Sequence, residues 1–392
     1  MLTNPKRYAH VVVGASYGDE GKGEVTSDIC KGIFLTTHKP MLNILTNGGS
    51  QRGHTVICDN TFAVGDSHCI SHVHHHFGSG TLFGADNLYS KYFIVNPMNF
   101  VREYDEFLEL GFNPKSIKIY CDTDCLWSTP YDMLYNQFLE DCRGGERHGS
   151  VGVGIWETIL RYNSSDMVKH VTLPEFVKMD HSEQVKYLID IRQFYLNKYK
   201  FLGLLVLPRR LELFKNNGLY EHFIQDCKFF CDAVEFVKDS QEILQNYEYL
   251  VFENGQGLLL SSDPQNDHTT PSDTGCAYAI QMLKDSNLID TDTVVHYITR
   301  PYITRHGAGD IDDECLKEDI CHLIIPDSTN VTTEYQGHLR YAPLDVQALL
   351  KRTEKDFEFC RINIPHSKMK IDMTHQYENP NKVYEFKEVT EA

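Results

Sequence analysis

An apolar run, His10-Val11-Val12-Val13, passes directly into Gly14-Ala15-Ser16-Tyr17-Gly18-Asp19-Glu20-Gly21-Lys22-Gly23, and a helical stretch through Ile29 and Cys30 follows. A short strand without polar alternation, ending in glycines that open a helix, is the unit of a parallel α/β sheet. Further strand-like runs at residues 41–45, 93–95, 117–120, 204–207, 249–253 and 294–299 alternate with longer helical patterns. The alternation predicts a mostly parallel central sheet with helices on both faces. Glycine-rich turns recur where these strands end, at 14–23, 48–53, 149–154, 255–257 and 307–309. Ligands of open α/β sheets bind at the carboxyl ends of the strands, so these turns predict one shared crevice.

Residues 99–200 depart from this rhythm, with long amphipathic stretches at 131–142 and 183–199, and read as a mainly helical subdomain. No repeat or glycine-serine hinge sets it apart, so residues 1–392 are expected to form one unit, with a loosely held polar tail after residue 378. The 21 Phe and 22 Tyr need a core and exclude a disordered chain. A formal charge of −18 repels nucleic-acid phosphate. The longest apolar stretches fall far short of the roughly 20 residues of a spanning helix. The first ten residues lead into a strand and not into a signal-peptide core. Twelve cysteines never form a CxxC pair, so reduced thiols in a cytoplasmic protein without membrane or nucleic-acid partners are expected.

The first turn has the parts of a phosphate loop: glycines that let backbone amides close on an anion, a helix N-terminus, and Lys22. It is not a Walker A loop, because the first glycine would fall at Ser16 and the magnesium-holding hydroxyl at Gly23. Asp19 is placed to take over the metal and also to act as a base. The second turn, Asn47-Gly48-Gly49-Ser50-Gln51-Arg52-Gly53-His54-Thr55, carries a histidine that donates a proton or a hydrogen bond near neutral pH.

Gly18-Asp19-Glu20-Gly21-Lys22-Gly23 and Gly53-His54-Thr55 resemble the signature loops of the adenylosuccinate synthetase family. Gly152-Val153-Gly154 resembles its Gly-Ile-Gly turn, residues 252–257 its Phe-Glu-Gly-Ala-Gln-Gly, and residues 304–309 its Thr-Arg-Val-Gly-x-Gly, all in the family's order. The resemblance implies a two-step ligation: a nucleoside triphosphate phosphorylates the 6-oxygen of a purine monophosphate, and the amino group of aspartate displaces that phosphate. It implies Asp19, Lys22, His54 and Gln256 as catalytic residues. Gly18 to Gly23 and Gly53 to Thr55 would hold the donor nucleotide, and Asp19 with Gly53 would hold Mg²⁺. Gln51, Ser150, Arg161, Gln256 and Thr274 would bind the purine monophosphate, with Arg161 reaching a partner subunit's site in a homodimer or else solvated on its helix. His306, Gly307 and Arg340 would bind the amino acid.

The sequence departs from the family in several places. The family's arginine-rich run for aspartate and ribose is reduced to one arginine in residues 336–345, which leaves room for a substrate without a 2′-hydroxyl or for a different amino-acid partner. Residues 310–314 place four acids after Gly309, which are expected to face solvent. The family's guanine-reading Thr-Lys-x-Asp has only Met373-Thr374-His375-Gln376-Tyr377 as its counterpart, so donor preference between GTP and ATP is open. The acceptor is IMP or a relative such as dGMP. Divergent viral members tend to replace the loop aspartate, whereas Asp19 is retained. His72, His74, His75 and His76 have no acids or cysteines at ligand spacing and read as a surface loop instead of a metal site. Arg143, Arg147 and His148 read as a solvated turn, with an anion-binding patch beside Ser150 as the alternative.

Overall fold

The computed structural model describes residues 6–59, 69–164, 170–201, 208–266, 268–320, 335–374 and 383–385. The central sheet runs in the order Glu235–Val237, Ile119–Asp122, Asp86–Tyr89, Met41–Leu45, Tyr249–Gly257, Tyr8–Gly14, Asp292–Thr299, Lys368–Thr374, Val383–Glu385. Every pairing is parallel except the last, which turns back on Lys368–Thr374.

Period two along the opening strand explains why its valines are uninterrupted. Val12 packs with Val25, Cys30 and Ile33 of the helix Lys22–Thr37. Val11 and Val13 face the other way, into a core with Ile280 and Leu283 of the helix Ala277–Asp285 and Leu349 and Cys360 of Val346–Asn363. Both faces of the strand are therefore dry, and the helices lie on both faces of the sheet as the pattern predicts. A third core is rich in aromatics, including Phe100, Phe107, Trp127, Tyr131, Phe223 and Phe230. It joins the sheet to the helices Pro97–Glu109, Pro130–Arg143, Leu173–Lys178, His181–Phe201 and Gly218–Ala233. No helix among the described residues is long and apolar enough to cross a membrane.

One local expectation changes, one falls on residues not described, and one strand is new. Phe93–Val95 leaves the main sheet and pairs with Gly48–Gly49 and Leu126–Trp127 in a small ribbon. The run at 204–207 lies outside the described residues. Asp86–Tyr89 is a central strand despite its polar start, because Asp86 accepts from the Lys118 amide at 2.6 Å and the Tyr247 hydroxyl at 2.6 Å. Its buried neighbour Asn87 bonds Thr81 Oγ1 and the Ala85 carbonyl. Polar groups satisfied in this way are tolerated inside a sheet.

The histidine cluster is not a surface loop. Cys69–His74 is a strand paired antiparallel with His54–Asp59, and His72, His74 and His76 are buried. The reason is the helix Pro97–Glu109, whose buried Glu103 accepts from the amides of His75 at 3.0 Å and of His76 and Phe77. Arg161 is likewise neither solvated nor free to reach a partner subunit. It is 1% exposed, its Nε donates to Asp132 Oδ1 at 2.8 Å, and its Nη2 donates to Asp132 Oδ2 and the Trp127 carbonyl.

Removing one member of such a pair leaves a lone buried charge, which costs about 3–5 kcal/mol. Arg161→Met should lower the stability measured by chemical denaturation by that amount, while Arg102→Met, on an exposed pair with Glu106, should cost under about 0.5 kcal/mol. Equal losses would mean that Asp132 is reached by water.

Candidate active site

The loop after the opening strand is held by its own charged residues. Glu20 Oε1 accepts from the amides of Ser16 at 3.1 Å and Gly18 at 2.8 Å, so this carboxylate satisfies the donors that an anion would take. Lys22, 1% exposed, donates to the Gly18 carbonyl at 2.6 Å and lies 3.5 Å from Glu20 Oε2. Arg352 fixes the front of the loop by donating to Ser16 Oγ at 2.9 Å and to the Ala15 carbonyl. Gly21 caps the helix at φ 92°, a left-handed conformation that suits glycine.

Asp19 meets His306 across the cleft, Oδ2 to Nδ1 at 3.0 Å. Burial alone would push the Asp19 carboxyl up. The His306 hydrogen bond and the positive charges of His306, Arg300 and Lys22 outweigh it and hold the group below its usual range.

His54 begins the strand His54–Asp59 and sits against the first loop's helix, where a Cβ on Gly23 would stand 2.7 Å from that of His54. Its Nδ1 lies 2.6 Å from Glu253 Oε1, and its buried Nε2 has no hydrogen-bond partner. Glu253 is fully buried and also accepts from the Ser79 amide at 3.0 Å and lies 3.4 Å from Arg52 Nη1. Burial lowers His54 to about 4 against the pull of Glu253, so the ring is neutral at pH 7.

Asp19, His54 and His306 line one cavity of about 660 Å³, while Glu20, Lys22 and Glu253 stand behind its wall. Gly18, Asp19, Gln51, Gly53, His54, Ser150, Gln256 and His306, all expected in the site, are on its wall. Both amide atoms of Gln51 and Oε1 of Gln256 are buried without a partner, the condition of side chains waiting for a ligand. Arg143 and His148 also line it, so that turn is not simply solvated. Gly149 closes the far wall against Gly307, where a Cβ on Gly149 would lie 2.2 Å from the Gly307 Cα and φ is +80°.

Several expected residues stand behind the wall and support it. Thr274 is buried and its hydroxyl donates to the Gly257 carbonyl at 2.8 Å. Arg340 is committed to the 307–309 turn: Nη1 donates to the Gly307 and Gly309 carbonyls at 2.8 Å each, and Nε donates to Glu314 at 2.8 Å. Asp310, Asp312, Asp313 and Glu314 are exposed, as expected. Thr55 is half-buried in the hairpin, and Arg161 is off the wall, buried in its ion pair with Asp132.

Sequence reasoning missed three contributors. Glu253 lies inside a quoted block, but only the fold brings it to His54. Asn136 accepts from Ser150 Oγ at 2.9 Å and donates to Glu157 Oε1 at 3.0 Å, and both Asn136 and Glu157 line the cavity. Glu157 follows Gly154 by one helical turn, but Asn136 is on another helix, and the pair is visible only once the helix Ile155–Asn163 is placed against Pro130–Arg143.

The family model for adenylosuccinate synthetase matches residues 11–357. The chain belongs to the adenylosuccinate synthetase family. It is 25% identical over 316 residues to the adenylosuccinate synthetase of Lactobacillus acidophilus, covering 79% of this chain and 66% of that protein. With that of Psychrobacter cryohalolentis the identity is 24% over 314 residues, covering 80% and 66%. The matched region spans just under two thirds of the length of these curated relatives. The fold is similar to a fully ligated adenylosuccinate synthetase from Plasmodium falciparum, with TM-score 0.63, 16% identity, and coverage of 92% of this chain and 76% of that one. It is also similar to the cyanophage S-2L succinoaminodeoxyadenylate synthetase (PurZ) bound to dGMP and dATP as an energy donor, with TM-score 0.56, 14% identity, and coverage of 97% and 95%.

The Glu157 carboxyl gives the site a measurable pH signature. Burial pushes it up to about 7, only partly opposed by the Asn136 hydrogen bond. A carboxyl raised on folding contributes stability that is complete below its ordinary value near 4.5 and is lost as pH rises through about 7. Glu157→Gln should remove that loss, so the variant gains on the wild type by up to about 3 kcal/mol across this window in denaturation midpoints. Parallel pH profiles would show that Glu157 is solvated.

Proposed function

We propose that this protein is a carbon–nitrogen ligase that joins L-aspartate to C6 of a purine nucleoside monophosphate through a 6-phosphoryl intermediate, driven by GTP or ATP. The observation that carries the proposal is the pairing on one cavity of Asp19, held ionised by His306, with His54, held by Glu253 and bare at Nε2. The unpartnered amide of Gln51 and Oε1 of Gln256 on the same wall suit the base edge of a purine.

The chemistry assigns each group a task. Attack of O6 on the γ-phosphorus requires loss of the N1 proton, which Asp19 accepts. The new O6–P bond forms as the bond from phosphorus to the β-phosphate oxygen breaks. Phosphate charge beside His54 raises its affinity for a proton, so Nε2–H donates to the transferring group. Lys22 and the loop amides, once Glu20 yields them, stabilise the same charge. Aspartate nitrogen then bonds to C6, the C6–O bond breaks, and phosphate leaves with that oxygen. The Asp19 carboxylate and the Gly53 carbonyl are hard oxygen donors that suit Mg²⁺, which when bound neutralises triphosphate charge.

The acceptor is IMP or a relative such as dGMP. The single arginine on the ribose side and the absent guanine-reading segment support a deoxynucleotide acceptor and an adenine donor. The similarity in length to a PurZ bound to dGMP and dATP supports the same pair. With Arg340 occupied by Glu314, aspartate capture falls to the turn at His306 and Gly307. A cytoplasmic homodimer belongs to the same reading.

Phosphate release measured with Mg²⁺ and aspartate, crossing ATP and GTP against IMP, dIMP, GMP and dGMP, tests it directly. Release confined to one acceptor identifies the substrate, and no release with any pair overturns the ligase reading. Asp19→Asn should lower turnover about 10²–10⁴-fold with nucleotide binding retained by calorimetry. Unchanged turnover would remove Asp19 as the base.

A further inference from the structure

The strand Cys69–His74 sets His74 opposite His54 and His72 opposite Val56, so both histidines fall on one side of the hairpin. Glu103 of the helix Pro97–Glu109 comes to meet them. One donor atom from each of His72, His74 and Glu103 lies within 4.8 Å of the others, and all three residues are buried. None of them lines the nucleotide cavity.

His72 Nε2 and Glu103 Oε1 are 3.4 Å apart. A charge-assisted hydrogen bond closes to about 2.7–2.9 Å. The edge of a tetrahedral centre with bonds of about 2.0–2.1 Å is roughly 3.4 Å. The largest spread in the cluster exceeds that edge by at most about 1.4 Å, within reach of a ring rotation. His74 is an independent observation: it is fully buried, and neither ring nitrogen has a hydrogen-bond partner. Buried imidazoles are rarely left so, and two bare nitrogens beside a carboxylate call for a cation. The Phe107 ring, 4.4 Å from that of His72 and 5.5 Å from that of His74, walls the cluster from water.

We propose that His72, His74 and Glu103 form a binding site for a divalent transition metal of the zinc class. Two imidazole nitrogens and one carboxylate oxygen suit zinc and disfavour Mg²⁺, which takes oxygen ligands. Three protein ligands leave one position of the tetrahedron for a further donor. The backbone amides of His75, His76 and Phe77 orient the Glu103 carboxylate, the outer support that metal ligands commonly receive. The metal would clamp the hairpin to the helix on the face that His54 shares with His74.

The test is elemental analysis of the full chain expressed with added zinc and passed into metal-free buffer. About one zinc per chain is expected, falling at least about tenfold in His74→Ala and in Glu103→Gln. Because a buried substitution can prevent folding, a second measurement uses the unaltered chain, stripped with chelator and titrated with Co²⁺. It should develop the intense visible band of tetrahedral cobalt, abolished by Zn²⁺ and not by Mg²⁺; that result supports the site whatever the zinc content on purification. Background zinc together with no cobalt band overturns the proposal, as does folded His74→Ala that keeps its zinc.

Discussion

The buried carboxylate of Glu253 is the interaction on which the site depends. It stands midway along the strand Tyr249–Gly257, in register with Val12 on one side and Leu45 on the other, at the middle of the sheet. A bare carboxylate there would be expensive, and it is matched by His54, Ser79 and Arg52. Arg52 in turn donates to the His75 carbonyl at 2.9 Å and to that of Phe77, which ties the second turn to the hairpin. One charge thereby fixes the tautomer of His54, the path of residues 75–79, and the mouth of the cavity.

A second arrangement of the same kind governs the first loop. Glu20 turns back onto its amides, Lys22 neutralises it from below, and Asp19 is left at the rim against His306. In a chain of net charge −18 an incoming phosphate meets general repulsion. The local field around Asp19 is nevertheless positive, from Lys22, Arg300 and His306. Fixed donors within a few ångströms outweigh distant surface charge that solvent screens, so an acidic chain keeps a local field that favours an anion.

Much of this was legible in residue order. The valines of the opening strand announced a sheet covered on both sides, and the glycine turns announced a crevice, because backbone conformation and burial period are local properties. Asp19, His54, Gln51, Ser150 and Gln256 were readable as wall residues since each sits in or beside a glycine turn, although the turn at Ser150 joins the helices Pro130–Arg143 and Ile155–Asn163 and does not follow a strand as expected. Arg161, Arg340 and the histidine cluster were not, for a common reason: each is defined by a partner distant in sequence. Asp132 claims Arg161, Glu314 claims Arg340, and Glu103 draws His72 and His74 inward.

The sequence by itself therefore determined the α/β class, the parallel order of strand and helix, and most of the glycine turns that line the cavity, all of which follow from short-range pattern. Tertiary structure alone decided which charges cancel. Whether an arginine reaches a ligand or a carboxylate, and whether four histidines lie in water or against a glutamate, depends on which groups the fold brings within about 3 Å, where hydrogen bonding and desolvation set the outcome.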